Sequence, residues 1–526
     1  MALVSYAESA LSIVPPVVAI GLAIISRRVL LSLGLGILTG ILMLADFSVT
    51  TMVSEVARRA TALVWEDGSF SSWNLYTIGF LLTMGILMAL ISVSGGTRAF
   101  AKWARGRIRH GRDAKLMTVF LGAIIFIDDY FNALLVGNVA RPVTDQYGIS
   151  REKLAYCIDS TSAPVCVVSP ISTWGAYIMS LLAGLLVTHG MGDVSALSVF
   201  VQMIPMNFYA LFSLLLLLCV LWFNLDLGAM AVAERRAAQG QLWDPAKGMP
   251  AGEDLGLPDA RRGRVMNLMG PLALLISLVV CLMLLSGDMA LAAQGLDFTL
   301  IGALENAAGS WSMFTAGTIT VVITSLAMIA QGVPVSVLLQ AMAKGVRSMA
   351  PAVYILLMAW TIAGVISDLQ TGHYLASLAD GALPVAMVPA LIFILSALAA
   401  FSTGTSYGTF AIMLPIAANL AAVLEPSLML PAMASVLAGG VFGDHCSPIS
   451  DTTILSSTGS GCHHIDHVAT QLPYAVMAAI ISVLGYLTLG VTGSVLAGLL
   501  VSATLLVVTV ALLKRRAADR GQVALA

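Results

Sequence analysis

Two stretches of this chain, far apart in sequence, repeat one design. FIDDYFNALLVGN begins at Phe126 and is followed by SPIST at Ser169; FSTGTSYGTFAIM begins at Phe401 and is followed, after nearly the same interval, by SPISD at Ser447. Both set carboxylates, hydroxyls, Gly and Pro into sequence that is otherwise apolar. No other feature narrows the choice of folds as far. Backbone groups in hydrocarbon must be satisfied internally, and a charge at mid-bilayer costs roughly 2.5–3.5 kcal/mol on insertion scales. A chain that bears such interruptions twice, in matched places, is expected to build two related halves around a central site at membrane depth.

Composition agrees. Of 526 residues 59% are hydrophobic and 10% charged, against about 25% charged in a soluble domain. The mean hydropathy of +0.94 makes this an all-α polytopic membrane protein, and no strand alternation suggests a β-barrel. The net charge of −2 says little, because the placement of charge matters more than its sum. The six Cys lie mostly in apolar segments and read as small packing residues, not a disulfide framework. The start, MALVSYAESA, has no basic n-region, so the first apolar stretch is expected to be a retained span.

A span needs about 20 mainly apolar residues. Candidates lie near 10–26, 29–46, 76–94, 154–188, 197–223, 266–286, 309–331, 348–368, 430–457, 473–489 and 493–513, about 11 in all. Two more apolar stretches, 115–142 and 385–424, are interrupted by polar residues and Gly and read as re-entrant hairpins. Ser-Pro in mid-segment makes 154–188 and 430–457 discontinuous helices, since Pro removes a donor and clashes with the preceding turn. With the N-terminus outside and the C-terminus in the cytoplasm, this layout leaves only Arg58 and Arg59 of the 26 Lys and Arg outside, a strong inside bias. It also makes the two halves inverted. The expected organisation is an N-terminal helix (1–28), a first repeat (29–224, hairpin 115–142), a flexible cytoplasmic linker (225–264), a connecting helix and outer loop (265–308), a second repeat (309–490, hairpin 385–424), and a last helix with a basic tail (491–526).

The chemistry concentrates at the interruptions. Asp128 and Asp129 are adjacent in an apolar hairpin, where two carboxylates cannot both ionise cheaply; such a pair suits a proton or a cation. Asn132 adds an uncharged oxygen one turn on. Asp159, Ser160 and Thr161 lie before Ser169 and Thr173, around Pro170. Ser and Thr in membrane helices often bond their own backbone, but broken helices also free carbonyls that coordinate ions. Ser402, Thr403, Gly404, Thr405 and Ser406 offer hydroxyls and close backbone approach without charge, as a hard cation requires, or as packing of small residues requires. Asp444, His445, Ser447, Asp451 and Thr452 complete the set. Asp129, Asp159, Asp444 and His445 are the candidates for proton coupling. The GCHHIDHV segment, Cys462 to His467, tempts a zinc reading, but its spacing matches no closed zinc pattern; it reads as a polar turn at the inner surface, with pH sensing the alternative. No transition metal and no cofactor are expected beyond Na+ as a transported or coupling ion. The Arg-rich run 98–112 reads as an inside anchor, not a nucleic-acid surface.

At these motifs the chain resembles the NhaC-type sodium/proton antiporter family, within the wider ion-transporter superfamily. The resemblance is close over 126–178 and 439–475 and extends in layout from about 15 to 490. It implies Na+-linked secondary transport through an inverted-repeat fold with two hairpins, and superfamily relatives often dimerise, which implies a possible homodimer. The leading reading is a Na+/H+ antiporter of the bacterial inner membrane, in which Na+ and H+ compete for intramembrane carboxylates during alternating access. The family also includes carriers of organic acids and amino acids, so the alternative is a Na+-coupled transporter or exchanger of a small organic solute. The absence of an intramembrane Lys or Arg argues against a multiply charged one. An intramembrane hydrolase built on Ser447 and His445, or a channel, explains less: no oxyanion arrangement can be inferred, and a channel needs no inverted hairpins.

Overall fold

The computed structural model describes residues 6–26, 28–66, 69–105, 108–126, 128–170, 172–191, 194–251, 263–371, 374 and 384–519. Apart from a two-residue pairing of Trp65–Glu66 with Ser69–Phe70, the regular structure among them is helical. Helices α1 (Val14–Ser26) and α2 (Val29–Leu44) form an antiparallel pair, followed by the amphipathic α3 (Val49–Ala62), α4 (Ser72–Val93) and the basic α5 (Gly96–Arg105). Next come α6 (Gly111–Ile124), α7 (Asp129–Gln146), α8 (Arg151–Thr161), the single turn α9 (Ala163–Cys166) and α10 (Thr173–Thr188). Helices α11 (Ala196–Met203) and α12 (Phe208–Phe223) meet at a bend of 49°. The chain continues through α13 (Gly228–Ala238), α14 (Met266–Ala293), α15 (Leu300–Glu305), α16 (Gly309–Ala330) and α17 (Val335–Asp368). It ends with α18 (Val388–Thr403), α19 (Ser406–Leu424), α20 (Met429–Cys446), α21 (Asp451–Ser460), α22 (His464–Thr492) and α23 (Val495–Asp519).

Eight of these helices are long and apolar enough to cross a bilayer, nine if the bent α11–α12 pair is one span. The protein is a multi-pass membrane protein. The other apolar stretches that the sequence marked come in shorter pieces, and polar caps start several of them. Asp128 caps α7, Ser172 caps α10 and Ser450 caps α21, each accepting from a main-chain N–H three residues on. A capping side chain satisfies one of the donors a helix start leaves open. The same residues that look misplaced in apolar sequence are therefore the ones that start helices within it.

Two stretches read as hairpins are helix–turn–helix units: α6 packs on α7, and α18 on α19. The segments read as discontinuous are broken between α9, ending at Cys166, and α10, starting at Thr173, and between Cys446 and Asp451. The expected flexible linker is ordered over its first part. Helix α13 docks against α8 and α22 through Met230, Ala231, Ala233 and Ala237. Around it Arg236 pairs with Glu152, Lys153 with Asp226, Arg151 with Asp145, and Lys247 with Asp466. Apolar burial explains the docking: α13 has one alanine-rich face to cover, and its charges find partners at α8, Arg236 on Glu152 and Glu234 on Ser150. The remainder of that linker, 252–262, lies outside the described residues.

Candidate functional site

Each hairpin tip seats on the broken helix of its own half. In the first half, the Ser162 hydroxyl donates to the Asp129 carbonyl (2.8 Å), the Cys166 thiol to the Phe126 carbonyl (3.4 Å), and the Thr173 hydroxyl to Asp128 Oδ2 (3.0 Å). Asn132 stitches the tip closed: its Nδ2 donates to the carbonyls of Gly122 (2.7 Å), Ile125 (2.6 Å) and Thr161 (3.2 Å). In the second half, the Ser447 hydroxyl donates to the Phe401 carbonyl (2.7 Å) and Ser406 to Asp444 Oδ2 (2.7 Å). Gly404, at φ +69°, lies so near Ile449 that a Cβ there would come within 2.6 Å of the Ile449 carbonyl oxygen. Only glycine combines that left-handed turn with that approach.

The halves also cross. The Tyr130 hydroxyl, on the first hairpin, donates to Asp451 Oδ2 at the start of α21. Tyr177 of α10 donates to the Tyr407 carbonyl (3.1 Å), and the Trp174 ring meets those of Tyr407 and Phe410 at 5.1 and 5.8 Å. Helices α7 and α21 pass backbone to backbone at Gly137 and Gly459. Asp128 and Asp129 are buried at the crossing. Asp129 Oδ2 and Asn132 Oδ1, one turn apart on α7, have no hydrogen-bond partner among the described residues.

A second acidic centre lies deeper. Asp159 is fully buried and accepts from Gln471 Nε2 (2.5 Å), His467 Nε2 (3.1 Å), the Ser456 hydroxyl (3.3 Å) and the Thr453 hydroxyl (3.5 Å). His445 stands 4.0 Å from the same carboxylate, with Nδ1 2.7 Å from the Tyr209 hydroxyl and Nε2 3.3 Å from that of Ser160. Asp444 reaches this centre through hydroxyls: Ser450 donates to its Oδ1 and accepts from the Thr453 main chain, and the Thr453 hydroxyl touches Asp159. A buried carboxylate is tolerated only when its lone pairs are met in this way.

From one end of the bundle a cavity of about 570 Å³ runs down to the crossing, with Arg58, Arg59, Trp360 and Asp368 along it and Tyr130, Gly404, Thr405 and Asp451 on its wall. At the other end lie the ion pairs around α13. Residues 165–491 match the model of the Na+/H+ antiporter family.

The chain belongs to that family. A Haemophilus influenzae relative described as an uncharacterized protein is 44% identical over 517 residues, 98% of both chains. A second protein of that organism, described as an uncharacterized Na(+)/H(+) antiporter, is 36% identical over 93 residues, which is 17% of this chain and 20% of its own length.

Within this antiporter-family fold the marked residues fall into distinct roles. Asp128, Asp129, Asn132, Thr173 and Asp451 gather at the crossing, while Ser406 and Asp444, with Asp159, Ser160 and His445, form the deeper chain. Thr452 bonds the Ser450 hydroxyl (2.9 Å) and Thr405 lines the cavity. The hydroxyls of Thr161 and Thr403 donate to carbonyls of their own helices, and that of Ser169, just past α9, to the Val165 carbonyl; Ser402 is half-buried next to Thr403. The sequence reading missed Gln471, Tyr209 and Tyr130. It also placed the Cys462–His467 segment at the inner surface as a polar turn, whereas His467 is fully buried on Asp159 and His464 Nε2 lies 2.8 Å from the Pro448 carbonyl. The signal that was available is spacing: His467 and Gln471 are four apart, hence on one helical face.

Proposed function

We propose that this protein exchanges Na+ for H+ by alternating access, the two ions competing for the buried carboxylates at the hairpin crossing. The observation that carries this reading is the pair of buried acceptors, Asp129 Oδ2 and Asn132 Oδ1, neither of which has a hydrogen-bond partner among the described residues. An unsatisfied buried polar group costs about 1–3 kcal/mol, and more when charged. A proton on Asp129 relieves that cost. So does Na+, held by Asp129, the Asn132 oxygen, and one of Asp128 or Asp451, with carbonyls freed at the breaks. Both cannot occupy the carboxylate at once, so loading one ion expels the other. Asp159, with His467 and His445, serves as the second proton-holding centre, joined to Asp444 through Ser450 and Thr453.

The cavity ending at Asp451 then serves as the outer access route, and the ion pairs around α13 as the closed inner side. In this reading 29–224 and 309–490 are inverted repeats, 115–142 and 385–424 enter and leave the bilayer on one side, the N-terminus is outside, the C-terminus is cytoplasmic, and the membrane is the bacterial inner membrane. Na+ addition to proteoliposomes holding an imposed pH gradient tests it. Na+-evoked collapse of the gradient, lost in Asp129→Asn, is expected; no response to Na+ or Li+ refutes it.

A further inference from the structure

At the end of the bundle where α13 docks, two sets of cations are treated differently. Those around α13, Arg151, Lys153, Arg236 and Lys247, each meet a carboxylate. The second set lies where the start of α6 and the last part of α23 flank the end of α12. Here the Arg112 guanidinium lies over the ring of Trp222, 4.7 Å from its centre, and Lys514 Nζ over that of Phe223, at 4.1 Å. Arg515 and Arg516 follow Lys514 on α23. All four cations are exposed, and none has a carboxylate partner among the described residues.

The arrangement has a local cause. Lys115, one turn after Arg112 on α6, is buried and donates to Asn224 Oδ1. Asn224 ends α12 in the left-handed conformation, at φ +50°, which Asn adopts more readily than most residues. This bond fixes the start of α6 on the end of α12 and so sets Arg112 above Trp222. Arg112 gains nothing from its own helix: it stands second in α6, where the positive end of the macrodipole disfavours a cation. The rings of Trp222 and Phe223 belong to residues 53% and 40% exposed. Aromatic residues at the ends of spanning helices sit at headgroup level, and an aromatic face holds a cation there without neutralising its charge.

We propose that the start of α6 and the ends of α12 and α23 form a binding site for an anionic phospholipid, its phosphate toward Arg112 and Lys514 and its acyl chains along Trp222 and Phe223. Unneutralised cations over apolar rings match a ligand that is anionic at one end and apolar at the other. A soluble phosphate leaves the rings bare, and a zwitterionic lipid brings its own cation to the cluster. The site also asks more of the chain than the inside anchor that the Arg-rich run 98–112 suggested: an anchor needs only a surplus of basic residues, whereas binding needs these cations at these positions. The inference stands apart from ion exchange, since lipid binding is read at equilibrium without turnover.

The test uses the full chain, delipidated in detergent and titrated with dioleoyl phosphatidylglycerol or dioleoyl phosphatidylcholine, with bound lipid counted by native mass spectrometry. Phosphatidylglycerol should bind at least about tenfold more tightly than phosphatidylcholine. Arg112→Gln and Lys514→Gln should each weaken its binding about fivefold, the worth of one basic residue at an anionic surface. Trp222→Leu, which leaves every charge in place, should weaken it as well. Arg28→Gln, which removes an exposed charge just before α2, should leave it unchanged. Elution as a single folded species is the control for each variant. Equal affinity for the two lipids overturns the proposal. So does a loss in Arg28→Gln as large as that in Arg112→Gln, which would mean diffuse attraction without a site. Binding of inorganic phosphate as tight as that of phosphatidylglycerol, and unmoved by Trp222→Leu, would make this a phosphate site and overturns it too.

Discussion

The crossing of α7 and α21 is where the two halves come closest, and a single methyl group tests it. A Cβ on Gly137 would lie 2.5, 2.6 and 2.8 Å from the carbonyl carbon, oxygen and Cα of Gly459; one on Gly459 would lie 2.5 Å from the Ala133 carbonyl oxygen. Carbon atoms in contact sit about 3.5–4.0 Å apart, so in Gly137→Ala the helices must separate by about 1 Å, and the atoms in the way are backbone that cannot rotate aside. Overpacking of this kind costs about 1–3 kcal/mol. Against that, Gly to Ala inside a helix gains about 0.5–1 kcal/mol. Gly184 of α10, where an added Cβ would meet nothing within 4 Å, isolates the gain alone. Gly137→Ala should therefore be less stable than wild type, by about 1 kcal/mol, and Gly184→Ala more stable. The gap of about 2 kcal/mol is roughly thirtyfold in the unfolding constant. Thermal or denaturant unfolding of the purified protein in one detergent reads it. The same displacement pulls Tyr130 from Asp451, so transport should fall with stability in Gly137→Ala and hold in Gly184→Ala. If Gly137→Ala matches or exceeds wild-type stability, the close crossing is wrong, and with it the placement of the site between the halves.

Two further outcomes follow from the partners of Asp159 and Glu55. Gln471→Leu removes a donor from the fully buried Asp159 and should cost about 2 kcal/mol, the scale of a hydrogen bond to a charged group; unfolding measured beside wild type checks this, and an unchanged midpoint would show that Asp159 does not depend on that donor. Outside the membrane, hydrogen bonding from Arg58, with the charge of Arg59 adding to it, holds the Glu55 carboxyl below its ordinary 4.5. A depressed value means that the ion pair's contribution is fully present above about pH 4.5 and is lost only as pH falls through the lower folded value. Amide-exchange protection factors over 49–62 should thus be level from about pH 5 to 8 and drop below about pH 4.5; a loss between about pH 6 and 5 would contradict the pairing.

Much of the architecture was legible in the sequence because its causes are local. Apolar runs long enough to cross a bilayer announce helices, and Asp128, Ser172 and Ser450 inside such runs announce breaks, since a capping side chain acts within three residues of itself. The positions of the two tips and the two broken helices could therefore be read from the motifs at 126–132, 169–173, 401–409 and 447–453. The roles of individual hydroxyls were less legible. Ser406 and Thr403 look alike in sequence, yet Ser406 reaches Asp444 and Thr403 bonds its own helix, because which face of a helix meets a neighbour depends on how the helices pack.

What the sequence determined by itself is that the chain is a helical membrane protein with two apolar regions interrupted by carboxylates, hydroxyls, Gly and Pro. What only the tertiary structure decided is who meets whom. His467 and Gln471 reach Asp159 across some three hundred residues, Tyr130 reaches Asp451 from the opposite half, α13 folds back from a nominal linker onto α8 and α22, and Arg58 and Arg59, expected in an outer loop, lie on α3 and line a cavity. The physical reason is range. Capping, hydropathy and helix breaking act over a few residues along the chain, whereas a buried carboxylate is stabilised by whichever donors helix packing delivers, and that choice is made only when all the helices have been assembled.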